Sequence, residues 1–203
     1  MQYKVTPYSY KGSDTFVAYK VENIFNELQC KILHNYYKNF GLLREVASET
    51  LKYYDENSHS YGFGGKDILG ISILENLTPM VSQILGRTVL PTYSYTRVYE
   101  KNTQLMSHRD RDACEISMSL TLENFPIRDK EEKFYISRTE KQEEDTLVLS
   151  INTGDGLIFF GGQSTDGFYH WRDKTESDYL MQIFLHWVYA DGEYTHEAYE
   201  YKK

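Results

Sequence analysis

Residues 97–110 read RVYEKNTQLMSHRD, and they are answered further on by GDGLIFF at 154–160 and by His170-Trp171-Arg172. Alternate residues of a strand point to the same side, so His108 and Asp110 can converge while Arg109 turns away. With His170 delivered by another strand, two imidazoles and one carboxylate share one face of a metal ion. That donor set, with coordination positions left open, suits non-haem Fe(II). A His-x-Asp tripeptide is short, and its weight comes from context. Thr92 to Tyr99 and Ile116 to Leu122 both alternate in character and read as strands on either side of it. Thr146 to Ile151 then leads through the turn residues Asn152-Thr-Gly-Asp-Gly156 into an apolar strand, Leu157 to Phe160, and a glycine-rich loop brings in His170.

In this order, Arg-x-Tyr, His-x-Asp, Gly-Asp-x-Leu-Ile-Phe and His-Trp-Arg resemble the Fe(II)- and 2-oxoglutarate-dependent dioxygenases, on their prolyl-4-hydroxylase-like side. The resemblance covers roughly residues 90 to 190, with a weaker extension back to the helix near Val21. It implies a mainly β fold with flanking helices, built on a double-stranded β-helix or jelly roll. It also implies iron held by His108, Asp110 and His170, 2-oxoglutarate and O2 as cosubstrates, and release of succinate and CO2. An aspartate at 110 implies hydroxylation or a related oxidation, since relatives that halogenate carry a small residue there. The implied substrate is a peptidyl residue, an amino acid or another small molecule. A jelly-roll metal-binding or sensory module without turnover is the alternative, and a structural domain in which the three ligands never meet is a third.

The sequence departs from the family pattern at one point. Many members hold the distal carboxylate of 2-oxoglutarate with Arg or Lys nine or ten residues after the second histidine, where this chain has Tyr179 and Leu180. Arg172 is the physical substitute. Two residues beyond His170, it shares that face about 6.5 Å further along the strand, and a guanidinium grips a carboxylate in a bidentate fork. Arg97 is the reserve. Tyr99 and Gln182 are further candidates for cosubstrate contact, set against ordinary packing of a tyrosine whose tip stays wet.

The chain has 203 residues, enough for one well-buried core and no more than one expected domain. Residues 1–88 are expected to supply N-terminal strands and covering helices, and 89–190 the jelly-roll core with the metal site. A formal charge of −8 argues against nucleic acid as the partner. Cys30 and Cys114 lie far apart and read as free thiols of a reducing compartment. No apolar run approaches the length of a membrane span and the N-terminus lacks an apolar signal core, so a soluble cytoplasmic protein without a membrane partner is expected. The oligomeric state stays open. Nineteen tyrosines and ten phenylalanines fit a β-rich core with aromatics on pleated faces.

Along the chain, Tyr8, Tyr10, Phe16 and Tyr19 suggest edge strands within residues 1–20. Spacing at three and four predicts a helix from Asn26 to about Lys38, ending before Gly41, then a second helical stretch from Leu42 to Tyr54. Asn57 to Gly65 reads as a surface loop, or as a lid near the site, and His59 goes with it. Asp67 to Leu85 reads as a third helix stopped by Gly86. The charged stretch from Glu123 to Asp145, around Phe134-Tyr-Ile-Ser, reads as a hairpin with solvated turns. Tyr179 to Tyr189 reads as a central strand lying next to the metal strands. His34, His186 and His196 are assigned to packing, to a packed hydrogen bond and to a polar tail.

Overall fold

The computed structural model describes residues 3–46, 51–55, 58–63, 67–126, 131–140, 146–163 and 167–203. Two sheets face each other. The larger is built from β1 (Lys4–Ser9), β2 (Phe16–Glu22), β3 (Leu51–Asp55), β4 (Ser58–Phe63), β5 (Val89–Glu100), β7 (Ile116–Phe125), β10 (Gly156–Phe159) and β12 (Tyr179–Tyr189), in the order β1-β2-β10-β7-β12-β5-β4-β3. The smaller contains β6 (Leu105–His108), β8 (Glu132–Ser137), β9 (Thr146–Ile151) and β11 (Tyr169–Arg172), in the order β6-β11-β8-β9. Every named strand pairing is antiparallel. Two helices, α1 (Glu27–Val46) and α2 (Ile68–Leu85), contribute to the core on the outer side of the large sheet.

The alternation in β7 sets up this layering. Ile116, Met118, Leu120 and Leu122 join Ile183, Leu185 and Trp187 of β12 in a core that also takes in Leu33, Ile73, Leu74, Leu77 and Val81 of the helices. Ser117, Ser119 and Thr121 point the other way, and they too are buried. The polar half of the pattern therefore faces the space between the sheets instead of bulk water. A smaller apolar cluster there joins Phe134, Ile136, Leu149, Ile151, Leu157 and Phe159. Trp187 anchors the helix side, fully buried, with its indole N–H donating to Thr78 Oγ1 at 2.8 Å. Trp187→Ala should cost about 3–5 kcal/mol through the cavity it leaves, measurable as a lowered denaturant midpoint with an unchanged slope.

Helix ends follow local chemistry. Asn26 Oδ1 accepts from Gln29 N–H and Gln29 Oε1 accepts from Asn26 N–H, each at 2.9 Å, closing a reciprocal cap at the start of α1. Asp67 accepts from the backbone N–H groups of Leu69 and Gly70, and Gly86 at φ 64° ends α2, so this helix matches its expected bounds. Gly70 allows close approach to β5, since a Cβ there would stand 2.6 Å from Ser94 Oγ. By length and composition α2 could cross a membrane, but it lies on the sheet with Gly70, Ile73, Leu74, Leu77 and Val81 buried.

Four expectations need correction. The first helix does not end before Gly41 but runs to Val46, and in place of a second helix to Tyr54 the chain forms β3. Leu51-Lys-Tyr-Tyr-Asp55 is aromatic enough to pair in register with Ser58 to Gly62, and that ladder outweighs its weak helical spacing. The proposed loop and lid at Asn57 to Gly65 is for the most part β4, whose Ser60 to Phe63 pair with Tyr99 to Thr96. A strand edge with open N–H and C=O groups takes up even a glycine-bearing segment. Residues 57, 64 and 65 and the side chain of His59 lie outside the described residues. Finally, β12 is central but sits between β5 and β7 in the large sheet, opposite β6 and β11 instead of beside them.

The N-terminal edge strands appear as expected; the hairpin is β8 paired to β9 and starts later than expected, since Glu123 to Phe125 instead end β7 in the large sheet, with Glu123 and Glu132 buried. Its charged stretches at 127–130 and 141–145 lie outside the described residues. Both cysteines are free and buried.

Candidate metal centre

The small sheet presents the two histidines side by side. His108, at the end of β6, pairs directly with His170 on β11, and their ring centroids lie 4.3 Å apart. Asp110 follows just beyond the strand, where its N–H donates to Gly161 C=O at 2.7 Å and its C=O accepts from Gln163 N–H at 2.9 Å. Asp110 Oδ1 stands 3.5 Å from the Nε2 of each histidine, and the ligand atoms of the three residues lie within 4.8 Å of one another. Glycine at 161 makes room: a Cβ there would meet Asp110 Oδ2 at 2.5 Å and His170 Cε1 at 3.3 Å.

The hydrogen bonds fix the state of each ligand. His108 Nδ1 is 2.8 Å from Met106 C=O, and His170 Nδ1 is 3.3 Å from Phe168 C=O. A carbonyl can only accept, so in both rings Nδ1 carries a proton, and Nε2 is the nitrogen turned toward the gap, where a metal would take the place of any proton shared with Asp110. Asp110 divides its oxygens: Oδ1 faces the histidines while Oδ2 accepts from Ser117 Oγ at 2.8 Å. Such outer hydrogen bonds orient ligands and commonly hold about 10–100-fold in metal affinity. Ser117→Ala should weaken Fe(II) binding by that factor with little change in melting temperature, a contrast that titration and calorimetry would resolve.

Charge supports the same arrangement. Burial works to raise the Asp110 carboxyl, but the charge of His170 and the hydrogen bonds of both histidines outweigh it and hold Asp110 well below the usual carboxylate range. Burial works to lower His108, yet the hydrogen bond and charge of Asp110 raise it above its ordinary 6.5. A metal must displace the His108 proton, so apparent Fe(II) affinity should fall as pH drops through that raised value. A flat pH profile in equilibrium dialysis would count against His108 as a ligand.

Asp110, Cys114 and His186 also converge within 4.8 Å. Ser117 Oγ already bridges that group, 3.0 Å from His186 Nδ1. Cys114 Sγ engages the Tyr93 hydroxyl at 3.0 Å, and burial pushes the thiol up, which keeps it protonated. Burial likewise pushes His186 down to about 4 against the pull of Asp110. Of these, His186 reaches Asp110 through Ser117 Oγ, and Cys114 bonds to Tyr93 instead.

The triad opens on a cavity of about 290 Å³ between the sheets. Leu105, Phe134 and Phe159 form its apolar wall near the histidines, and Tyr93, Tyr95, Arg97 and Tyr99 of β5 with Phe184 and His186 of β12 form the facing wall. Arg172 lies on the same inner face as His170, as strand geometry required, and is buried at 2 % exposure. It does not line the cavity: its guanidinium is stacked 4.2 Å from the Tyr99 ring, which separates the two. Its Nε and Nη2 have no hydrogen-bond partner among the described residues, and Nη1 reaches only the Asp173 carbonyl, at 3.4 Å. Burial lowers its pKa, with Tyr99 and nearby Glu132 opposing. Arg97 stacks on the same tyrosine at 4.8 Å and does line the cavity. Gln182 pairs across from Arg97, but its amide donates to Thr121 Oγ1 and it does not line the cavity. At the two positions where the family pattern places a cation, Leu180 is fully buried and the Tyr179 hydroxyl meets His34 Nε2 at 3.3 Å.

Sequence reasoning missed His186 and Ser117 as parts of the site. The signal for Ser117 lies in the polar residues that alternate from Ile116 to Leu122, next in sequence to His108 and Asp110.

No protein-family model and no curated protein matches the sequence. Solved structures do match. The non-heme alpha ketoglutarate dependent carbocyclase SnoK from nogalamycin biosynthesis is 12% identical, with TM-score 0.63 over 86% of this chain and 80% of that one. The viral collagen prolyl hydroxylase vCPH from Paramecium Bursaria Chlorella virus-1, solved as a 2OG complex, is 12% identical, with TM-score 0.60 over 90% and 98%. HygX from Streptomyces hygroscopicus, solved with nickel and 2-oxoglutarate bound, is 8% identical, with TM-score 0.57 over 86% and 83%. At these identities the likeness establishes architecture: this chain has the jelly-roll fold on which those oxygenases are built.

Proposed function

We propose that the protein is an Fe(II)- and 2-oxoglutarate-dependent oxygenase that hydroxylates a small molecule, an amino acid or a peptidyl residue. One observation carries the reading: two histidines with Nδ1 held by carbonyls aim Nε2 at the same gap as Asp110 Oδ1, beside a half-open cavity. The donor set fits ferrous iron, and the space that glycine leaves at 161 lets it form. When bound, the iron with 2-oxoglutarate and O2 supplies the oxidising chemistry. The balanced reaction consumes substrate C–H, 2-oxoglutarate and O2, and yields substrate C–OH, succinate and CO2.

The chain's own part is to hold and shield these reactants. His108, Asp110 and His170 would hold the metal, and the cavity beside them would receive the cosubstrate. Arg172 is assigned to the distal carboxylate of 2-oxoglutarate, which it can reach once the Tyr99 ring turns aside, because its buried Nε and Nη2 bond to no described residue and such a guanidinium needs an anion. Tyr99, between Arg172 and the cavity, would orient that end of the molecule. Arg97 is the competing anchor by position, and Gln182 is given no direct contact. Phe134, Phe159 and Phe184 exclude water around the reacting bond.

Purified protein with Fe(II), ascorbate, 2-oxoglutarate and O2 should form succinate above a metal-free control, even before its substrate is found. An iron-loaded protein that forms none in the presence of a broad substrate set would favour the alternative, a jelly-roll binding module, for which the apolar Leu180 in place of the family's cation is the supporting feature.

A further inference from the structure

The hydrogen bonds behind Asp110 determine the proton position of a second histidine that lines the cavity. Ser117 Oγ is 2.8 Å from Asp110 Oδ2 and 3.0 Å from His186 Nδ1. A serine hydroxyl has one proton to give, and a ligating carboxylate only accepts. The serine proton therefore goes to Asp110, and the remaining contact requires His186 to donate from Nδ1 to Ser117 Oγ. A neutral imidazole protonated at Nδ1 has a bare Nε2. His186 sits on the inner face of β12, opposite Ser117, and lines the cavity. Its ring lies 4.5 Å from that of Tyr93, and its Nε2 bonds to no described residue. Phe184, two residues earlier on the same face, and Tyr95 continue the wall.

We propose that His186 Nε2 is a substrate-positioning acceptor: it takes a hydrogen bond from a hydroxyl or N–H of the substrate, whose carbon framework packs on Tyr93, Tyr95 and Phe184. This rests on the reading that the cavity receives the substrate. The class of substrate it selects bears an uncharged donor next to an apolar or aromatic portion. A carboxylate or carbonyl oxygen presented at that point would set lone pair against lone pair.

The test uses the full chain labelled with ¹⁵N in its histidines, without added metal. Two-bond ¹H–¹⁵N spectra report which ring nitrogen carries the proton, and His186→Phe identifies the signals by their loss. The expected result is Nδ1–H with bare Nε2 at His186. Phenol, an aromatic donor, should move the Nε2 signal and bind about 3- to 10-fold more tightly than anisole, the same ring without a donor. His186→Phe should abolish that preference. A proton on Nε2, or phenol and anisole behaving alike in the wild type, overturns the proposal. The tautomer is read on wild-type protein, so misfolding of the variant does not rescue the idea. Iron is not required, so a chain that makes succinate yet fails here keeps the oxygenase reading and loses this one.

Discussion

Asp110→Ala will bind Fe(II) so weakly that 2-oxoglutarate turnover falls to background, the largest effect expected of any single substitution in this chain. Three lines meet at this side chain. It supplies the carboxylate that both histidines face at 3.5 Å. It supplies the charge that raises His108. It also takes the Ser117 hydrogen bond that fixes its own orientation. Removing it leaves two neutral imidazoles, which hold a hard-to-borderline divalent ion poorly without an anionic donor. The fold should survive, because the strands around it are held by the main-chain bonds Asp110 to Gly161 and Gln163 to Asp110, which alanine keeps. Metal analysis after dialysis, with circular dichroism on the same sample, separates loss of iron from loss of structure. Iron retained at wild-type stoichiometry would remove Asp110 from the ligand set.

Arg172→Met will raise the dissociation constant for 2-oxoglutarate by about 10- to 100-fold, the span set by losing charge-assisted hydrogen bonds worth about 1.5–3 kcal/mol. Methionine keeps the length of the side chain and its packing on Tyr99 while removing all five donors. Iron binding in this variant should stay near wild type, since Arg172 lies a strand rung away from His170. Arg172→Lys should recover only part of the affinity, because an ammonium cannot reproduce the bidentate fork. Arg97→Ala is the control that decides between the two cations flanking Tyr99. A larger loss in Arg97→Ala than in Arg172→Met would transfer the anchor to the residue that lines the cavity. Binding of 2-oxoglutarate to the metal-loaded protein, measured by calorimetry, gives both numbers directly.

Much of this was legible in sequence because strand periodicity is rigid. The shared face of His170 and Arg172 follows from a repeat of two residues along β11, whereas Asp110, just past the end of β6, is placed by its main-chain bonds to Gly161 and Gln163. The bounds of α2 were readable for a similar reason, since Asp67 and Gly86 satisfy backbone groups locally. What was not legible depended on distant partners. Leu51 to Asp55 and Ser58 to Phe63 became strands because β5 offered a free edge, information absent from their own composition. The screening of Arg172 from the cavity by Tyr99 is set by how two sheets face each other. His186 was correctly read as packed and hydrogen-bonded, but its place in the cavity wall follows from β12 lying opposite the metal strands, and sequence alone set it beside them.

The central claim is that His108, Asp110 and His170 form a ferrous site that accepts 2-oxoglutarate. Anaerobic addition of Fe(II) and 2-oxoglutarate to the purified chain tests it most directly, through the weak visible charge-transfer band of a chelated 2-oxo acid. The band should appear in the wild type, vanish in His108→Ala and need more 2-oxoglutarate in Arg172→Met. Folded wild-type protein that shows no band at saturating iron and 2-oxoglutarate would contradict the claim.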